Sequence, residues 1–389
     1  MITALVVLSL LTGLMALHPF LTYPLSLRAL RWIRGSVPLR ATSPAPRSLT
    51  VMISARNEAR VIKAKLTNVV SALERLKSVD TQILLFADGC TDATADIARR
   101  ILGPGSVIEG GAAPIGKSSA MNAMARRARG EVLVLTDANA LLRPDAIPAL
   151  LHPFRDPRVG VALGSTAIRQ TPGQSAVAGV MAAYWRLEER LRDQETALGS
   201  AIGGDGALYA IRRSLWPFPA RDVIDDFFAP MSVLIAGYRV VFAPEAQVSE
   251  PAVSTLGEEG RRKFRIAARA LRAHAVLRPG LRRLSPLFRY MYVSHKVLKW
   301  TCGLSLAVSL SLLATAFSLA GYGLPVAVAA ILALAVLVLG RAYPKLPVLG
   351  RVQSAAVAVF EVSRGTVFGL MGGRIASWTP PTTDREGVK

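Results

Sequence analysis

Polar side chains that could bind a nucleotide and a metal ion follow short apolar runs at four points in the first 140 residues. In chain order the four junctions are Val51–Ile53 with Ser54–Glu58, Ile83–Phe86 with Asp88–Asp92, Val107–Ile108 with Glu109, and Val132–Leu135 with Thr136–Asn139. Helical patterns separate these runs, which is typical of strand–helix units that build a parallel sheet. Because ligands of open α/β sheets bind outside the carboxyl ends of the strands, we expect these acids, amide and arginine to converge at one edge as an active site.

Asp137 and Asn139 are the residues of this set that best suit a divalent cation. They place two oxygen ligands two residues apart at a strand end, where both can face one Mg²⁺ or Mn²⁺ ion that still accepts substrate phosphates. The same Asp-Ala-Asn sequence is also favourable in a turn and as the N-cap of a helix that begins near Pro144. The pair alone fits both interpretations, and its alignment with the other strand ends favours the metal site.

The periodicity of the rest of the chain predicts an α/β domain with a mixed, mostly parallel sheet. Helices are predicted near Ala59–Leu76, Thr91–Leu102, Lys117–Ala128 and Gly179–Leu198, and further strands at Val159–Leu163 and Val240–Phe242.

Two long uncharged stretches indicate membrane segments. Residues 1–27 contain no Asp, Glu, Lys or Arg, and a second stretch of 41 residues runs from Trp300 to Gly340 with a turn at Gly321–Pro325. Since about 20 residues span a bilayer, they predict an N-terminal anchor and a helical hairpin. A cleaved signal peptide and a buried hairpin of a soluble core are the alternatives, but the first stretch lacks a basic start and a cleavage site.

Basic residues flank both predicted membrane segments and orient them. They are Arg28, Arg31, Arg34 and Arg40 after the anchor, Lys296 and Lys299 before the hairpin, and Arg341 and Lys345 after it. Positive flanks stay in the cytoplasm, which predicts a multi-pass protein of the cell membrane with a cytoplasmic α/β domain. The net charge of +21 suits a basic belt against anionic lipid, and no nucleic-acid-binding motif accompanies it.

Two segments near the C-terminus have mixed patterns. Ser285–Lys299 alternates apolar and basic residues as an interfacial amphipathic helix does. Val352–Gly372 is long enough to span a membrane, but Glu361 and Arg364 lie at its centre, three residues apart and close enough to pair on a helix. We expect this segment to lie on the membrane or to pack against the hairpin.

The order of the motifs resembles that of a membrane-anchored family 2 glycosyltransferase with the GT-A fold, over roughly Ser48–Ala273. The resemblance rests on Ser54–Glu58, Ala87–Thr94, Gly116–Asn122, Asp137–Asn139, Gly203–Ala207 with Tyr209–Arg213, and Ile224–Asp226. It implies a Rossmann-type nucleotide-binding sheet and a nucleotide-diphosphate sugar as donor. It also implies a lipid-linked or saccharide acceptor, with membrane lipids as further partners.

The same resemblance implies a role for each motif residue. Asp88 corresponds to the acid that binds base and ribose, Asp137 and Asn139 stand at the metal motif, and Asp226 lies in the motif that supplies the catalytic base. The implied donor-binding residues are Ala55, Arg56, Glu58, Asp88, Lys117 and Asp137, and those on the acceptor side are Gly204, Asp205, Gly206 and Asp225.

The chemistry of glycosyl transfer gives a reason for these groups. The departing diphosphate needs a divalent ion and basic side chains, for which Arg265 and Lys117 are the candidates. The incoming hydroxyl needs a base on the opposite face of the sugar, and Asp226 is the candidate. On an extended chain Asp225 would point the other way, whereas a helix that begins here would give Asp226 an N-cap role. A single base predicts inversion; retention would need a second carboxylate, and nothing argues for Asp205.

Two departures from the family pattern change the expected activity. Asn139 stands where the family has a second acid, which predicts weaker or more Mn²⁺-tolerant metal binding. Arg262–Ile266 keeps only the arginine of the Q-x-x-R-W motif of the processive members, so we expect transfer of a single sugar to a lipid or lipid-linked acceptor. A nucleotidyltransferase that releases pyrophosphate and a catalytically inactive membrane scaffold are the alternatives.

These patterns divide the chain into six predicted regions. They are an anchor at 1–27, a basic linker at 28–47, the glycosyltransferase domain at 48–275, a basic interfacial segment at 276–299, the hairpin at 300–341, and an interfacial or membrane-packed helix with the C-terminal tail at 342–389.

Overall fold

The computed structural model describes residues 1–169, 176–251, 255–343 and 346–375, so that Lys345 and the predicted tail beyond residue 375 lie outside it. The strands are β1 Ser48–Ala55, β2 Asp80–Ala87, β3 Val107–Glu109, β4 Val132–Thr136, β5 Leu141–Leu142, β6 Val159–Arg169, β7 Leu208–Arg212 and β8 Arg239–Pro251. The α-helices are α1 Ile2–Leu17, α2 Thr22–Arg34, α3 Ile62–Glu74, α4 Thr94–Leu102, α5 Lys117–Arg127, α6 Ala146–Leu151, α7 Ala176–Ala197, α8 Asp225–Ile235, α9 Leu256–Leu281, α10 Pro286–Tyr292, α11 Leu298–Leu319, α12 Gly323–Ala342 and α13 Pro347–Leu370.

The eight strands form one mixed sheet in the order β3-β2-β1-β4-β7-β6-β8-β5. The first four run parallel, β7 is antiparallel to both of its neighbours, and β6 pairs with β8 in parallel. Successive β1 residues Val51, Met52 and Ile53 are all buried, because they enter two cores on opposite faces of the sheet. The predicted fold class, a mixed and mostly parallel sheet, is confirmed.

The predicted alternation of strands and helices is confirmed from β1 to β4. Strands β5 and β7 are absent from the sequence-based prediction. Four of the five β7 residues are buried, since the strand lies between β4 and β6 and is covered on both faces. It therefore shows none of the apolar–polar alternation by which a half-exposed strand is predicted. Because β7 is antiparallel to β4, it begins beside the carboxyl end of β4, with Leu208 opposite Thr136. The loop that precedes β7 therefore lies at that edge of the sheet.

Two helices in the described residues are long and apolar enough to cross a membrane, Pro286–Leu319 and Gly323–Ala342. The first joins α10 and α11 through a π-helical turn at Val293–Val297, so the predicted interfacial segment continues directly into the hairpin. Helices α1 and α2 meet at a bend of 69° and form a third candidate only if they are taken together as one span.

Helix α1 packs along α11 through small residues. Ser9 and Ser309 each donate from Oγ to the other's main-chain carbonyl, at 2.9 and 2.8 Å. A Cβ on Gly13 would lie 3.0 Å from Ser309 Oγ, so glycine permits the close approach. Small side chains and mutual hydrogen bonds are the usual means of joining helices in a membrane.

Helix α13 packs against α9 and α11. A Cβ on Gly365 would lie 2.4 Å from the Phe264 carbonyl of α9, and one on Gly303 of α11 would lie 2.7 Å from Val359. Glu361 and Arg364 form the predicted pair at 2.9 Å. Of the two expected placements of this segment, the structure supports packing against the hairpin.

Candidate active site

The carboxyl ends of β1, β2 and β4 form what we call the donor edge, and Asp88 lies at its centre just past β2. Its carboxylate accepts hydrogen bonds from the N–H groups of Ile115 (2.6 Å) and Gly116 (2.9 Å), while its own N–H donates to the Ala55 carbonyl at 2.9 Å. Gly116 has φ +89°, a conformation that favours glycine. Asp88 thus joins the ends of β1 and β2 to the start of α5.

The loop after β1 is hydrogen-bonded to the loop after β2. Asn57, which has φ +52°, accepts a 2.8 Å hydrogen bond from the Thr91 N–H. The Glu58 N–H donates to Thr94 Oγ1 at 2.8 Å, and Glu58 is buried. These contacts bring together four of the predicted donor-binding residues, Ala55, Arg56, Glu58 and Asp88.

Lys117 links the donor edge to the acids of α8. Its Nζ donates to Asp137 Oδ1 at 2.6 Å and lies 4.0 Å from Asp225 Oδ2. Burial opposes protonation of Lys117, but the carboxylates of Asp137, Asp225 and Asp226 raise its pKa. The ammonium group is therefore charged at neutral pH and neutralises part of this acidic cluster.

A buried lysine that the sequence analysis does not identify supports the metal-motif loop. Lys65 of α3 has no exposed surface, and its Nζ donates to Thr136 Oγ1 at 2.7 Å and to the Ala140 carbonyl at 2.5 Å. Thr136 in turn donates to the Ala207 carbonyl at 2.9 Å. Lys65 therefore holds both ends of the loop that carries Asp137 and Asn139.

Asp225 and Asp226, the acid pair, occupy the first turn of α8, with Ile224 as the N-cap residue. The prediction of an extended chain at this point is wrong, and the N-cap alternative for Asp226 is wrong because Ile224 takes that position. Both carboxylates are favoured by the positive end of the helix dipole. Asp225 is buried and accepts a 3.4 Å hydrogen bond from the Tyr209 hydroxyl, whereas Asp226 is half-buried.

Glycines allow the predicted acceptor-side loop to lie directly against Asp226. A Cβ on Gly206 would lie 2.8 Å from Asp226 Oδ2, and one on Gly204 would lie 2.6 Å from the Asp226 main-chain oxygen. Between them, Asp205 accepts a 2.7 Å hydrogen bond from Thr166 Oγ1. The structure therefore brings Gly204, Asp205 and Gly206 to the acid pair.

The concentration of carboxylates raises the proton affinity of two of them. Burial, followed by the charge of Asp225, raises the pKa of Asp226 to about 7. Burial and the charges of Asp137 and Asp205 raise the pKa of Glu250, near the end of β8, to about 8. Asp226 can therefore both accept and release a proton near neutral pH, as a general base requires.

Helix α9 supplies arginines to this cluster. Burial together with the neighbouring charges of Arg262 and Arg269 lowers the pKa of Arg265 to about 10, against the attraction of Asp137 and Asp226. Arg269 Nη2 donates to Ser118 Oγ at 3.1 Å and to the Val223 carbonyl at 2.6 Å. Arg269 thus fixes the loop before the acid pair to α5 and α9.

A central cavity of about 390 Å³ opens beside Asp226. Its polar part includes Asp205, Arg262 and Lys296, and its apolar part reaches the helices of the candidate membrane region. The apolar lining includes Phe20, Met181, Trp300, Val359 and Val362. The acid pair accordingly lies between the donor edge and a space that extends towards the membrane helices.

The oxygen atoms after β4 suit a divalent cation that arrives with a nucleotide. Within the described residues, the Asn139 amide makes no side-chain hydrogen bond and Asp137 makes one, to Lys117. The described part of the chain contains no group of three or more His, Cys, Asp or Glu that could hold a metal. Two protein ligands with phosphate and water oxygens form a usual Mg²⁺ site, so the residues present fit Mg²⁺ or Mn²⁺ in that role.

Three residues of this site are missed by the sequence analysis: Lys65, Glu250 and Arg269. Tyr209 appears there only as part of the motif Tyr209–Arg213, with no role of its own. Lys65 had a detectable signal, because it interrupts the buried stripe of Ile62, Leu66 and Val69 on α3. Glu250 and Arg269 reach the site from elements that are distant in sequence, and no local pattern marks them.

A family model described as "Glycosyltransferase like family 2" matches residues 46–268, more than half of the chain. The chain belongs to this family. The mannosyltransferase PcManGT from Pyrobaculum calidifontis, solved in complex with GDP-Man and Mn²⁺, has a similar structure with a TM-score of 0.69. The two share 24% sequence identity, and the alignment covers 95% of this chain and 99% of that one. The predicted GT-A fold is confirmed.

The curated relatives align with only part of this chain and with only part of their own length. An N-acetylglucosaminyltransferase of Rhizobium meliloti (strain 1021) is 23% identical over 209 residues, which are 51% of this chain and 49% of that protein. One of Rhizobium leguminosarum bv. viciae is 24% identical over 170 residues, 41% of this chain and 40% of that protein. The chain spans about half the length of the curated relatives that it matches, or less.

Proposed function

We propose that this protein transfers one glycosyl unit from a nucleotide-diphosphate sugar to a lipid-linked acceptor, with inversion, at the cytoplasmic face of the cell membrane. The observation that carries the proposal is the position of Asp226, a half-buried carboxylate between the donor edge and a cavity that reaches the candidate membrane helices. Family membership favours this activity over a nucleotidyltransferase or an inactive scaffold.

The donor lies at the donor edge in this proposal. Ala55, Arg56, Glu58 and Asp88 would contact the base and ribose, and Asp137 and Asn139 would hold the divalent ion that neutralises the diphosphate when bound. The structural neighbour's complex with GDP-Man and Mn²⁺ supports this arrangement by analogy. Lys117 and Arg265 would add positive charge to the leaving group, since both face the carboxylates of this cluster.

Asp226 accepts the proton of the attacking hydroxyl in this mechanism. Its pKa of about 7 leaves a large fraction ionised at neutral pH while keeping it a stronger base than an ordinary carboxylate. Asp225 accepts a hydrogen bond from the Tyr209 hydroxyl, and its charge helps to raise the pKa of Asp226. Asp205 accepts a hydrogen bond from Thr166. This contact favours Asp226 as the single base, and a single base supports direct displacement with inversion.

The membrane helices would hold this site at the bilayer surface. We assign residues 48–275 to the catalytic domain and 300–341 to the hairpin, with the basic residues of 276–299 against anionic headgroups. The cavity beside Asp226 is lined by residues of α7, α9, α11 and α13. Transfer of a single sugar is supported by Arg262–Ile266, which keeps only the arginine of the processive motif.

Nucleoside diphosphate release tests the proposal. The full chain, purified in detergent, would be incubated with a panel of sugar nucleotides, Mn²⁺ or Mg²⁺ and a membrane lipid extract. Release from one donor with label transferred to lipid, lost in Asp226→Asn and retained in Asp80→Asn, is the expected result. Asp80 is an exposed acid at the opposite end of β2. Release of pyrophosphate, or equal turnover by Asp226→Asn, would contradict the proposal.

A further inference from the structure

Arg192 of α7 is a buried cation that forms no ion pair with any described residue. Its residue surface is only 2% exposed, it lines the central cavity, and its Nε and Nη1 find no hydrogen-bond acceptor among the described residues. The guanidinium lies over the Trp185 ring, 5.7 Å from the centroid. Burial of an unpaired charge is strongly unfavourable, and a cation–π contact offsets only part of that cost. The site therefore suits an anion from outside the described part of the chain.

The acids of α7 around Arg192 have other partners: Asp193 is exposed and lies 3.9 Å from Arg31, and Glu189 accepts a hydrogen bond from Ser165. Glu188, one helical turn before Arg192, pairs with Lys299 and lies 3.1 Å from His295 Nε2. Glu195 accepts hydrogen bonds from the Tyr23 hydroxyl at 2.6 Å and the Ile202 N–H at 3.0 Å, and contacts His295 Nδ1 at 2.6 Å. None of these carboxylates is left to neutralise Arg192.

The same cavity offers a second cation close to the acid pair. Lys296 lines the cavity, and its Nζ lies 3.9 Å from Glu188 Oε2, a carboxylate that it shares with Lys299. It also lies beside the acceptor-side loop, where a Cβ on Gly203 would be 3.5 Å from its Nζ and a Cβ on Gly204 would be 2.6 Å from the main-chain oxygen of Asp226. An oxyanion between Arg192 and Lys296 would accordingly sit in the cavity that Asp226 faces.

We propose that the central cavity binds the acceptor through a phosphate group held by Arg192 and Lys296, with the apolar chain of that lipid between the membrane helices and its hydroxyl at Asp226. The proposal rests on the proposed function and specifies the acceptor as an anionic lipid. Arginine fits because its planar fork of donors matches phosphate oxygens in pairs. The apolar lining from Phe20 to Val362 gives the chain a path that a free phosphate would not use.

The test measures binding of defined probes to the full chain in dodecyl maltoside. Dodecyl phosphate, dodecanol and inorganic phosphate would be titrated while the midpoint of thermal unfolding is followed. We expect dodecyl phosphate alone to stabilise the protein, with an apparent Kd about tenfold higher in Arg192→Gln and an intermediate value in Arg192→Lys. Arg190→Gln, an exposed arginine on the same helix, is the matched control and should bind as the unmodified protein does.

Three outcomes would overturn the inference. Equal binding by Arg192→Gln would remove the arginine from the site. Equal stabilisation by dodecanol would show recognition of the chain alone, and stabilisation by inorganic phosphate alone would show a site for a free ion. Donor-dependent release of nucleoside diphosphate by Asp226→Asn tests the proposed function separately. If Arg192→Gln weakens probe binding while Asp226→Asn turns over normally, the proposed mechanism is wrong but the anion-binding site is supported.

Discussion

Lys117 and Asp137 form a 2.6 Å ion pair at the point where the donor edge meets the acid pair of α8. The lysine occupies one oxygen of the residue that is predicted to bind the divalent ion. Since like charges repel at such a distance, the ammonium opposes binding of a metal ion on its own. A bound diphosphate would pair with Lys117 and free Asp137, so we infer that metal and nucleotide bind together.

This coupling predicts a specific pattern of thermal stabilisation. Mn²⁺ alone should shift the unfolding midpoint little, whereas Mn²⁺ with a nucleoside diphosphate should raise it strongly. At one hundred times the Kd, the free energy of unfolding should increase by about 2.7 kcal/mol. Asp137→Asn should abolish the joint effect, and EDTA should reverse it. Lys117→Gln should allow Mn²⁺ alone to stabilise the protein. Strong stabilisation of the unmodified protein by Mn²⁺ without nucleotide would contradict the coupling.

The raised pKa of Asp226 predicts the pH dependence of transfer. The base must be ionised, and its pKa in the free protein is about 7, so kcat/KM should rise with pH to about 7 and level off above it, with a fall of about tenfold per unit in the acid limb. Asp226→Asn should lower kcat by about 10² to 10⁴ without a comparable change in donor Kd. The measurement is kcat/KM from pH 5 to 9, with kcat recorded alongside it.

Glu250 provides the control for that profile, because its pKa is also raised, to about 8. If Asp226 is the base, Glu250→Gln should keep an acid limb with a midpoint near the same pH. Loss of the acid limb in Glu250→Gln, with its retention in Asp226→Asn, would assign the base to Glu250 instead.

The sequence predicts the parts of this site that lie at strand ends and misses those that depend on contacts across the fold. Asp88 and Asp137 follow apolar runs, so parallel pairing alone brings them to one edge. Tyr209 lies on a strand whose buried residues carry no alternation, and Glu250 closes a strand of 13 residues of which only Val240–Phe242 has a clear apolar pattern. Their proximity to the acid pair depends on the order of β7, β6 and β8.

Local sequence also misjudges the conformation of the acid pair. The sequence analysis expects either an extended chain at Ile224–Asp226 or a helix with Asp226 as its N-cap residue, whereas α8 begins at Asp225 with Ile224 as the N-cap residue. Acidic residues are favourable in the first turn of a helix, and that general preference was available from sequence. The catalytic roles of Asp226, Arg265 and the donor-side residues stay predictions, which the variants described here address.

The two glycines beside Asp226 should respond differently to alanine. Gly206→Ala would place a methyl group 2.8 Å from Asp226 Oδ2 and 3.0 Å from Lys117 Nζ, both of which are side-chain atoms that can move. We expect a loss of kcat of about tenfold or more, because misplacement of a base by about 1 Å is costly, with little change in stability.

Gly204→Ala would instead meet the main-chain oxygen of Asp226 at 2.6 Å. Backbone cannot yield without moving α8, so we expect a loss of stability of about 1–3 kcal/mol as well as of activity. Gly105→Ala, with nothing within 4 Å, is the control for both. Activity and thermal midpoint are measured together; equal stability of Gly204→Ala and Gly206→Ala would contradict the distinction.

Lys65 predicts a pH-dependent contribution to stability. Burial lowers its pKa from 10.5 to about 7, so the unfolded chain binds this proton more tightly than the folded protein does. Stability should therefore rise with pH between about 7 and 10.5, by at most about 1.4 kcal/mol per unit. Lys65→Met should remove that slope, and it should cost about 1–3 kcal/mol at pH 9 because the Ala140 carbonyl loses its donor.

Lys63→Met is the matched control for this substitution, since Lys63 is exposed on the same helix. The midpoint of thermal unfolding, followed from pH 6 to 9 for both variants and the unmodified protein, measures the effect. The loop that carries Asp137 and Asn139 depends on the same hydrogen bonds, so Lys65→Met should also weaken the joint binding of Mn²⁺ and nucleotide. If Lys65→Met keeps the pH slope, Lys65 is not its source and stays protonated in the folded protein. If the variant also binds Mn²⁺ and nucleotide normally, the loop of Asp137 and Asn139 does not depend on Lys65.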